Sequence, residues 1–560
     1  MSSRSLGRRS LTAALAAALV AVLAGCVGVP TSGGVVPGGP LEDSGVEEFF
    51  LLPSDPVPGA DQEQILVDFV RAANSSQGNY AIAKKFLTAD FEQEWRPGLG
   101  VSIRSGATTV ERIGETSLRY TITVEAEVDA GGRYRDVPPA SQSGEYTFEQ
   151  VDGEWRISSA PDGIILSPGN FLSAFDVHPL YFFDPTYQYL VPDVRWFAKR
   201  AAVSSTIVDQ LLAGPSPWLQ RVVVSAFPPS TERGAEPVTI DSGVATVDLS
   251  DEAGGTNGTE RSRMKQQLDA TLASLAPTSM ITVGGLPLTV PDIGDQATQN
   301  PTVESEPLIG TEGDFGFAGG EGVSGLPELG PAITALGPLA VTLSGDQSLA
   351  AVLAGDGSVY AVRENAEPLA VDNRAGLVAP SIDPHGFIWS ASAAGSAALT
   401  VFDAEGGAHD LDTSLLPAGS RIVAFDVSRD GSRVVIYLER ESGPLLLVAG
   451  IVRDQENAPV SLGAEPFEFP LAEGTPVDTA WVDNRHVVTI SAAGGEQVVT
   501  EFEIGGPHNP LGTLPGATVI TGLNGGTSGI RVLAEGHIWR RGSSSWVDLQ
   551  VEAAILATQQ

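Results

Sequence analysis

Between residues 118 and 128 apolar and polar side chains alternate without a break. Leu118, Tyr120, Ile122, Val124, Ala126 and Val128 are separated by Arg119, Thr121, Thr123, Glu125 and Glu127. A period of two predicts a strand with one buried face, and the pattern stops at Asp129-Ala-Gly-Gly132. Upstream the period is helical: Ile65, Leu66, Phe69 and Val70 share a face, and a second apolar face runs from Tyr80 through Leu87 towards Phe91 and Trp95. Downstream, Tyr146-Thr-Phe148 and Trp155-Arg-Ile157 flank Asp152-Gly153, a two-residue hairpin turn in which glycine supplies positive φ. Residues 61–165 are therefore expected to fold as helices followed by a curved antiparallel meander.

The next segment, 166–295, changes period several times. Tyr181 to Pro185 and Tyr187 to Val194 read as a hairpin; Val203, Ile207 and Leu211 then share a helix face that stops at Gly214-Pro215. Val238 to Ile240 and Val244 to Leu249 bracket the turn Asp241-Ser-Gly243. Met264, Leu268, Leu272 and Leu275 lie on one helix face, and Met280 to Val283 returns as a strand. The order β-β-α-β-β-α-β predicts an α+β domain with a mostly antiparallel sheet. Residues 296–336, rich in Gly, Pro and acids, are expected to be an interdomain linker or a loop lying across the domains.

From 337 to 555 short apolar strands are separated by two alternating kinds of turn. The first falls at Gly345-Asp346, Pro384-His-Gly386, Asp430-Gly431 and Asp483-Asn484. The second follows at Asp356-Gly357, Ala394-Gly395, Ser442-Gly443 and Gly494-Gly495, and Gly525-Gly526 with Glu535-Gly536 suggests a final copy. Like turns recur every 39–53 residues, the period of a four-stranded propeller blade. Five copies are recognisable, and a sixth is left open, built from Pro338 to Leu343 and Trp546 to Leu549; a β-sandwich is the alternative.

The start of the chain decides where these domains work. Arg4, Arg8 and Arg9 precede an apolar run from Leu11 to Leu23, and Leu23-Ala24-Gly25-Cys26 follows. This is the order of a secretory signal, and the run is too short to span a bilayer. The tetrapeptide resembles a bacterial lipobox, which implies cleavage after residue 25 and a diacylglyceryl group on the Cys26 thiol. Residues 1–25 are thus expected to be a lipoprotein signal peptide and 26–60, rich in proline and glycine, a lipidated tether. Cys26 is the single cysteine of 560 residues, so no intramolecular disulfide can form. The formal charge is −37, and losing the three arginines of the signal leaves −40. Such a charge repels phosphate backbones and anionic headgroups, which argues against nucleic acid as a partner and leaves anchoring to the acyl chains.

Candidate chemistry is sparse. The six histidines (178, 385, 409, 486, 508 and 537) include no close pair, so no metal site is expected. His385 and His486 occupy equivalent turns and are expected to be exposed turn residues. Asp426 with Asp430-Gly431 is too sparse for an EF-type calcium loop. There is no Gly-x-Ser-x-Gly elbow, and none of Lys84, Lys85, Lys199 or Lys265 follows a glycine as a phosphate loop requires. Among 69 acids no pair stands out as catalytic. No catalytic residue and no cofactor is assigned, and the only site residue is Cys26.

Three resemblances add to this reading. Phe86-Leu-Thr with the following Trp95, and the late Val151-Asp-Gly-Glu-Trp-Arg-Ile157 strand, resemble the NTF2-like α+β cone fold. Leu211-Leu-Ala-Gly-Pro215 and Val244-Ala-Thr-Val-Asp-Leu249 look like the GerMN module of bacterial sporulation and envelope proteins. A lipobox followed by Gly28-Val-Pro-Thr-Ser32, a GerMN-like domain and a C-terminal all-β propeller together resemble the LpqB family of actinobacterial lipoproteins. That resemblance implies a multidomain, non-enzymatic protein held by its lipid on the extracytoplasmic face of the cell membrane. It also implies an accessory role in the MtrA–MtrB two-component system through contact with the extracytoplasmic domain of the sensor histidine kinase MtrB, affecting cell envelope and division. The competing expectations are a cell-wall glycan-binding protein or glycoside hydrolase, and a structural spacer for envelope assembly.

Overall fold

A computed structural model of the chain describes residues 53–560 apart from 295, 320–321, 396–397 and 472. Cys26, the signal and most of the expected tether lie outside the described residues. The first helix, α1 (Gln62–Ala72), begins where the Asp61 carboxylate accepts the Gln64 N–H at 2.9 Å and buries Ile65, Leu66 and Phe69. It packs over a five-stranded sheet in the order β4-β3-β2-β1-β5: β1 (Gly100–Arg112), β2 (Ser117–Asp129), β3 (Tyr134–Val151), β4 (Glu154–Ser159) and β5 (Ile164–Leu166). The alternation along β2 is realised residue by residue, with Leu118 to Val128 inward. Asp152 and Gly153 have φ of 53° and 83°, the turn that matches the twist of β3 and β4. Strand β1 has no such alternation in its second half, and its register with β2 shifts between Ser105 and Thr109.

In the second domain the hairpin β6 (Phe175–Phe183) and β7 (Leu190–Ala198) forms a two-stranded sheet of its own. Helix α2 (Val203–Ala213) ends at Gly214 with φ 96°, and α3 (Gly258–Leu272) opens with a capping box between Asn257 and Glu260. Both pack on a sheet ordered β11-β10-β9-β8: β8 (Thr239–Asp241), β9 (Val244–Leu249), β10 (Thr278–Val283) and β11 (Leu286–Pro287). Strands β9 and β10 run parallel, as the intervening helix requires, so this small sheet is mixed.

The rest of the described chain is an all-β propeller-like ring. Five sheets match the five copies read from the turns: blade 1 (340–372), blade 2 (381–409), blade 3 (421–469), blade 4 (475–513) and blade 5 (517–552). A sixth blade is assembled from both ends of the region. Its inner strand is Ile555–Gln559, and its outer three are Leu308–Gly310, Phe315–Gly319 and Gly322–Gly325. This corrects two expectations. The segment 296–336 is not only a connection, because it supplies three strands. Residues 338–343 and 546–549 belong to blades 1 and 5 rather than to a sixth. Inner strand Ile555–Gln559 runs parallel to its neighbour Ala340–Leu343, and each inner strand contacts the next around the ring. The last strand thus closes the ring by pairing with the inner strand of blade 1.

Candidate functional site

A propeller offers its loops on two faces, and the six-fold strand alternation sorts them. Turns between first and second strands, and between third and fourth, lie on one face; the second-to-third turns lie on the other.

The first face is covered. Hairpin β6–β7 approaches it, with Tyr189 beside Asp383 and His385 of blade 2. Leu190 N–H donates to Thr298 O at 2.9 Å, and from there residues 298–304 cross the ring as a strap. Asn484 of blade 4 donates to Gln299 O at 2.7 Å, Asn524 of blade 5 accepts from Val303 N at 3.0 Å, and Gln559 of blade 6 accepts from Glu304 N at 2.9 Å. Pro301 sits against turns of blades 1 to 4. The strap's backbone polar groups are thus met by blade side chains.

Strand β7 locks three domains together. Its residues 190–197 are all buried. Trp196 N–H donates to Gly132 O of the first domain at 2.7 Å, and its indole N–H donates to Gly505 O of blade 4 at 2.8 Å. Gly132 has φ 81°, and a Cβ there would come within 2.8 Å of Trp196 O, so glycine is required at this approach. Arg195 and Asp193 form a buried ion pair at 2.7 Å, and Asp193 also accepts Ser216 N–H and O–H, each at 2.7 Å. Every lone pair is occupied, the condition under which a buried pair is tolerated. Trp218 completes the junction, packing with the second-domain core and with Phe467 of blade 3 at 6.3 Å between ring centres.

Inside the ring a belt of polar contacts joins the inner strands. Thr342 donates to Pro380 O at 2.7 Å, linking blades 1 and 2. Asp426 of blade 3 accepts from Ser381 of blade 2 at 3.0 Å and from Trp481 N–H of blade 4 at 3.1 Å, and it meets the Gln560 carboxamide. Asp478 of blade 4 accepts Ile520 N–H of blade 5 at 2.8 Å. Burial pushes both Asp426 and Asp478 up to about 7, against the hydrogen bonds that favour the carboxylate. Their lone pairs serve backbone and side-chain donors of the ring itself, so these carboxyls are braces rather than a substrate-facing pair.

His385 and His486 do occupy equivalent turns, but both are half-buried, because their face is the covered one. Burial and Arg453 lower His385, which contacts Asn457 at 2.7 Å. For His486 burial is outweighed by Asp483, 2.9 Å away, and its value is raised. Among the described residues no group of three His, Cys, Asp or Glu could hold a metal ion.

The second face carries the second-to-third turns. Their exposed tips hold Glu312 and Asp314 (blade 6), Asp356 (blade 1), Glu441 (blade 3), Glu496 (blade 4) and Glu535 (blade 5); blade 2 shows Ala394-Gly395 instead. An acidic platform is left open to solvent, while the other face is occupied from within the chain. The acidic tips were in plain view in the sequence, but which face they share follows only from the topology.

No helix among the described residues is long and apolar enough to cross a membrane. The family model described as "Lipoprotein LpqB, N-terminal domain" matches residues 55–172, and that described as "Lipoprotein LpqB beta-propeller domain" matches 318–554. A third, "Sporulation and spore germination", matches 179–289. The chain is 25% identical over 549 residues to Lipoprotein LpqB of Cutibacterium acnes, covering 89% of each. It is 26% identical over 558 residues to Lipoprotein LpqB of Streptomyces avermitilis, covering 90% of this chain and 89% of the relative. Among solved structures, a putative TolB from Agrobacterium tumefaciens is similar at 13% identity and TM-score 0.30, over 42% of this chain and 86% of that one. With two LpqB models covering more than half of its length and full-length relatives of the same name, the chain belongs to the LpqB family of lipoproteins.

Proposed function

We propose that this lipoprotein is an extracytoplasmic accessory of the MtrA–MtrB two-component system, acting by contact with the sensor kinase MtrB and without enzymatic chemistry of its own. Cys26 carries the lipid, the tether leads to a first domain of NTF2-like form, and the propeller is the recognition element. The observation that carries the reading is the asymmetry of the propeller: one face is closed by the strap and hairpin β6–β7, and the other presents exposed acidic turns. A rigid platform whose exposed turn tips are mostly acidic suits a basic partner surface. A partner that binds one signalling state of a kinase better than another shifts that equilibrium by the difference in affinity, with no reaction needed. The glycan-binding alternative calls for aromatic platforms, whereas the large exposed apolar side chains among the described residues are aliphatic or Met, such as Leu286 and Leu339.

Crosslinking in intact cells followed by purification of the lipidated chain tests this. MtrB is expected to be enriched with the native protein and lost with Cys26→Ser, which cannot be anchored. Equal recovery of unrelated membrane kinases, or none of MtrB, would refute the contact.

A further inference from the structure

The cover on the propeller's first face has a fixed part and a loose part. Strand β7 is buried from 190 to 197, but no residue of the strap is. Thr298, Gln299, Asn300, Thr302 and Glu304 are exposed, and Pro301 and Val303 are half-buried. Few buried apolar contacts and solvent-exposed hydrogen bonds put a segment at the low end of local stability. The strap also leaves space beside it. A hollow of about 560 Å³ is bounded by Pro301 and Thr302 and by Ser344, Asp346, His385 and Phe387 of blades 1 and 2.

What holds the strap is chiefly its main chain. Asn524 accepts Val303 N–H at 3.0 Å and donates to the carbonyl of the same residue, a two-point grip. Gln559 accepts the next N–H, from Glu304, at 2.9 Å, and Asn484 donates to Gln299 O at 2.7 Å. Side chains add two longer contacts, to Asn300 at 3.2 Å and to Glu304 at 3.4 Å. Carboxamides that read N–H and C=O groups hold an extended chain largely without regard to its side chains. Pro301 lies between the two grips, against turns of blades 1 to 4. It has no N–H to satisfy, and it favours extended backbone at the residue before it.

We propose that Asn484, Asn524 and Gln559 form a peptide site that the strap occupies in cis. When the strap opens, the site takes an extended segment of another protein, with proline at the Pro301 position and an aliphatic residue two places on. The open acidic face is a separate surface, so this exchange does not rest on the contact with MtrB. The test uses the full-length chain and a variant whose residues 299–304 are replaced by an equally long Gly/Ser segment. The probe is a fluorescein-labelled peptide with the sequence of residues 297–305, read by anisotropy. The variant is expected to bind it at one site per chain. The native chain should bind roughly tenfold more weakly, because its own tethered strap competes at high effective concentration. Moving the proline one place along the peptide, or Asn524→Ala in the variant, should each weaken binding roughly tenfold. In the native chain, the Val303 and Glu304 amides should show hydrogen-exchange protection about a hundredfold below that of blade 3 strand Arg433–Glu439. No saturable binding by a variant whose propeller melts like the native one would overturn the proposal. So would binding indifferent to Asn524→Ala or to the place of the proline. Strap amides as protected as that strand would also refute it, and this measurement decides the matter if the variant does not fold.

Discussion

Replacing Asp426 by Asn should change how the propeller responds to pH. Asp426 is buried among the inner strands of blades 2, 3, 4 and 6, and burial raises its carboxyl to about 7. An unfolded aspartate titrates near 3.9, so the gap is about 3 pH units, each worth about 1.4 kcal/mol. The folded value is the higher one. The site's contribution to stability is therefore full below about pH 4 and is lost as the pH rises through about 7, about 4 kcal/mol in all. A protonated Asp426 also has a use for its hydrogen, because Gln560 Oε1 is buried without a partner and can accept once the amide is turned. Asparagine keeps the acceptor for Trp481 N–H, supplies a permanent donor, and does not titrate. Calorimetric scans from pH 4 to 8.5 should show the propeller transition of the native chain falling relative to the variant by about 8–16 °C, at 2–4 °C per kcal/mol. Asp478, also near 7, remains in the variant and gives it a residual slope. Parallel curves for the two proteins would refute the argument, since they would mean that Asp426 holds the same charge at every pH.

Three further outcomes follow from the packing. Arg195→Met strands a buried Asp193 charge and should cost about 3–5 kcal/mol in urea unfolding, while the double variant Asp193→Leu/Arg195→Met should recover most of that loss. Trp218→Ala removes half-buried contacts between the second domain and blade 3, costing about 3 kcal/mol, and limited proteolysis should then cut the 298–304 strap faster than in the native chain. Deleting residues 555–560 takes away the inner strand of blade 6 and opens the ring; size-exclusion chromatography with light scattering should show association through the freed edges, whereas a monomer with native melting behaviour would contradict closure by that strand.

What could be read from the chain in advance was whatever depends on neighbours in sequence. Strand β2 alternates over eleven residues, Gly214 stops a helix whose last turn precedes it, and turns such as Asp152-Gly153 carry their own φ requirement. The elements that escaped depend on distant partners. The outer strands of blade 6 are short and glycine-rich, Phe315–Gly319 against Gly322–Gly325, and their pairing partner Ile555–Gln559 is more than 200 residues away. Strand β7 is apolar enough to be a strand but gives no sign that three domains share it. Asp426 and Asp478 look like any others among 69 acids until the ring surrounds them. The expectation for Cys26 rests on local order alone and lies outside the described residues.

The central claim is that the open, acidic face of the propeller meets MtrB. A photoreactive residue placed at Glu496 or Glu535 tests it on the exposed turns, with Gln299 in the strap as the comparison position. Crosslinks to MtrB from both exposed turns and none from the strap are the expected result. Crosslinks from Gln299 alone would contradict the account, as would silence at both turns in cells where the lipidated chain is present.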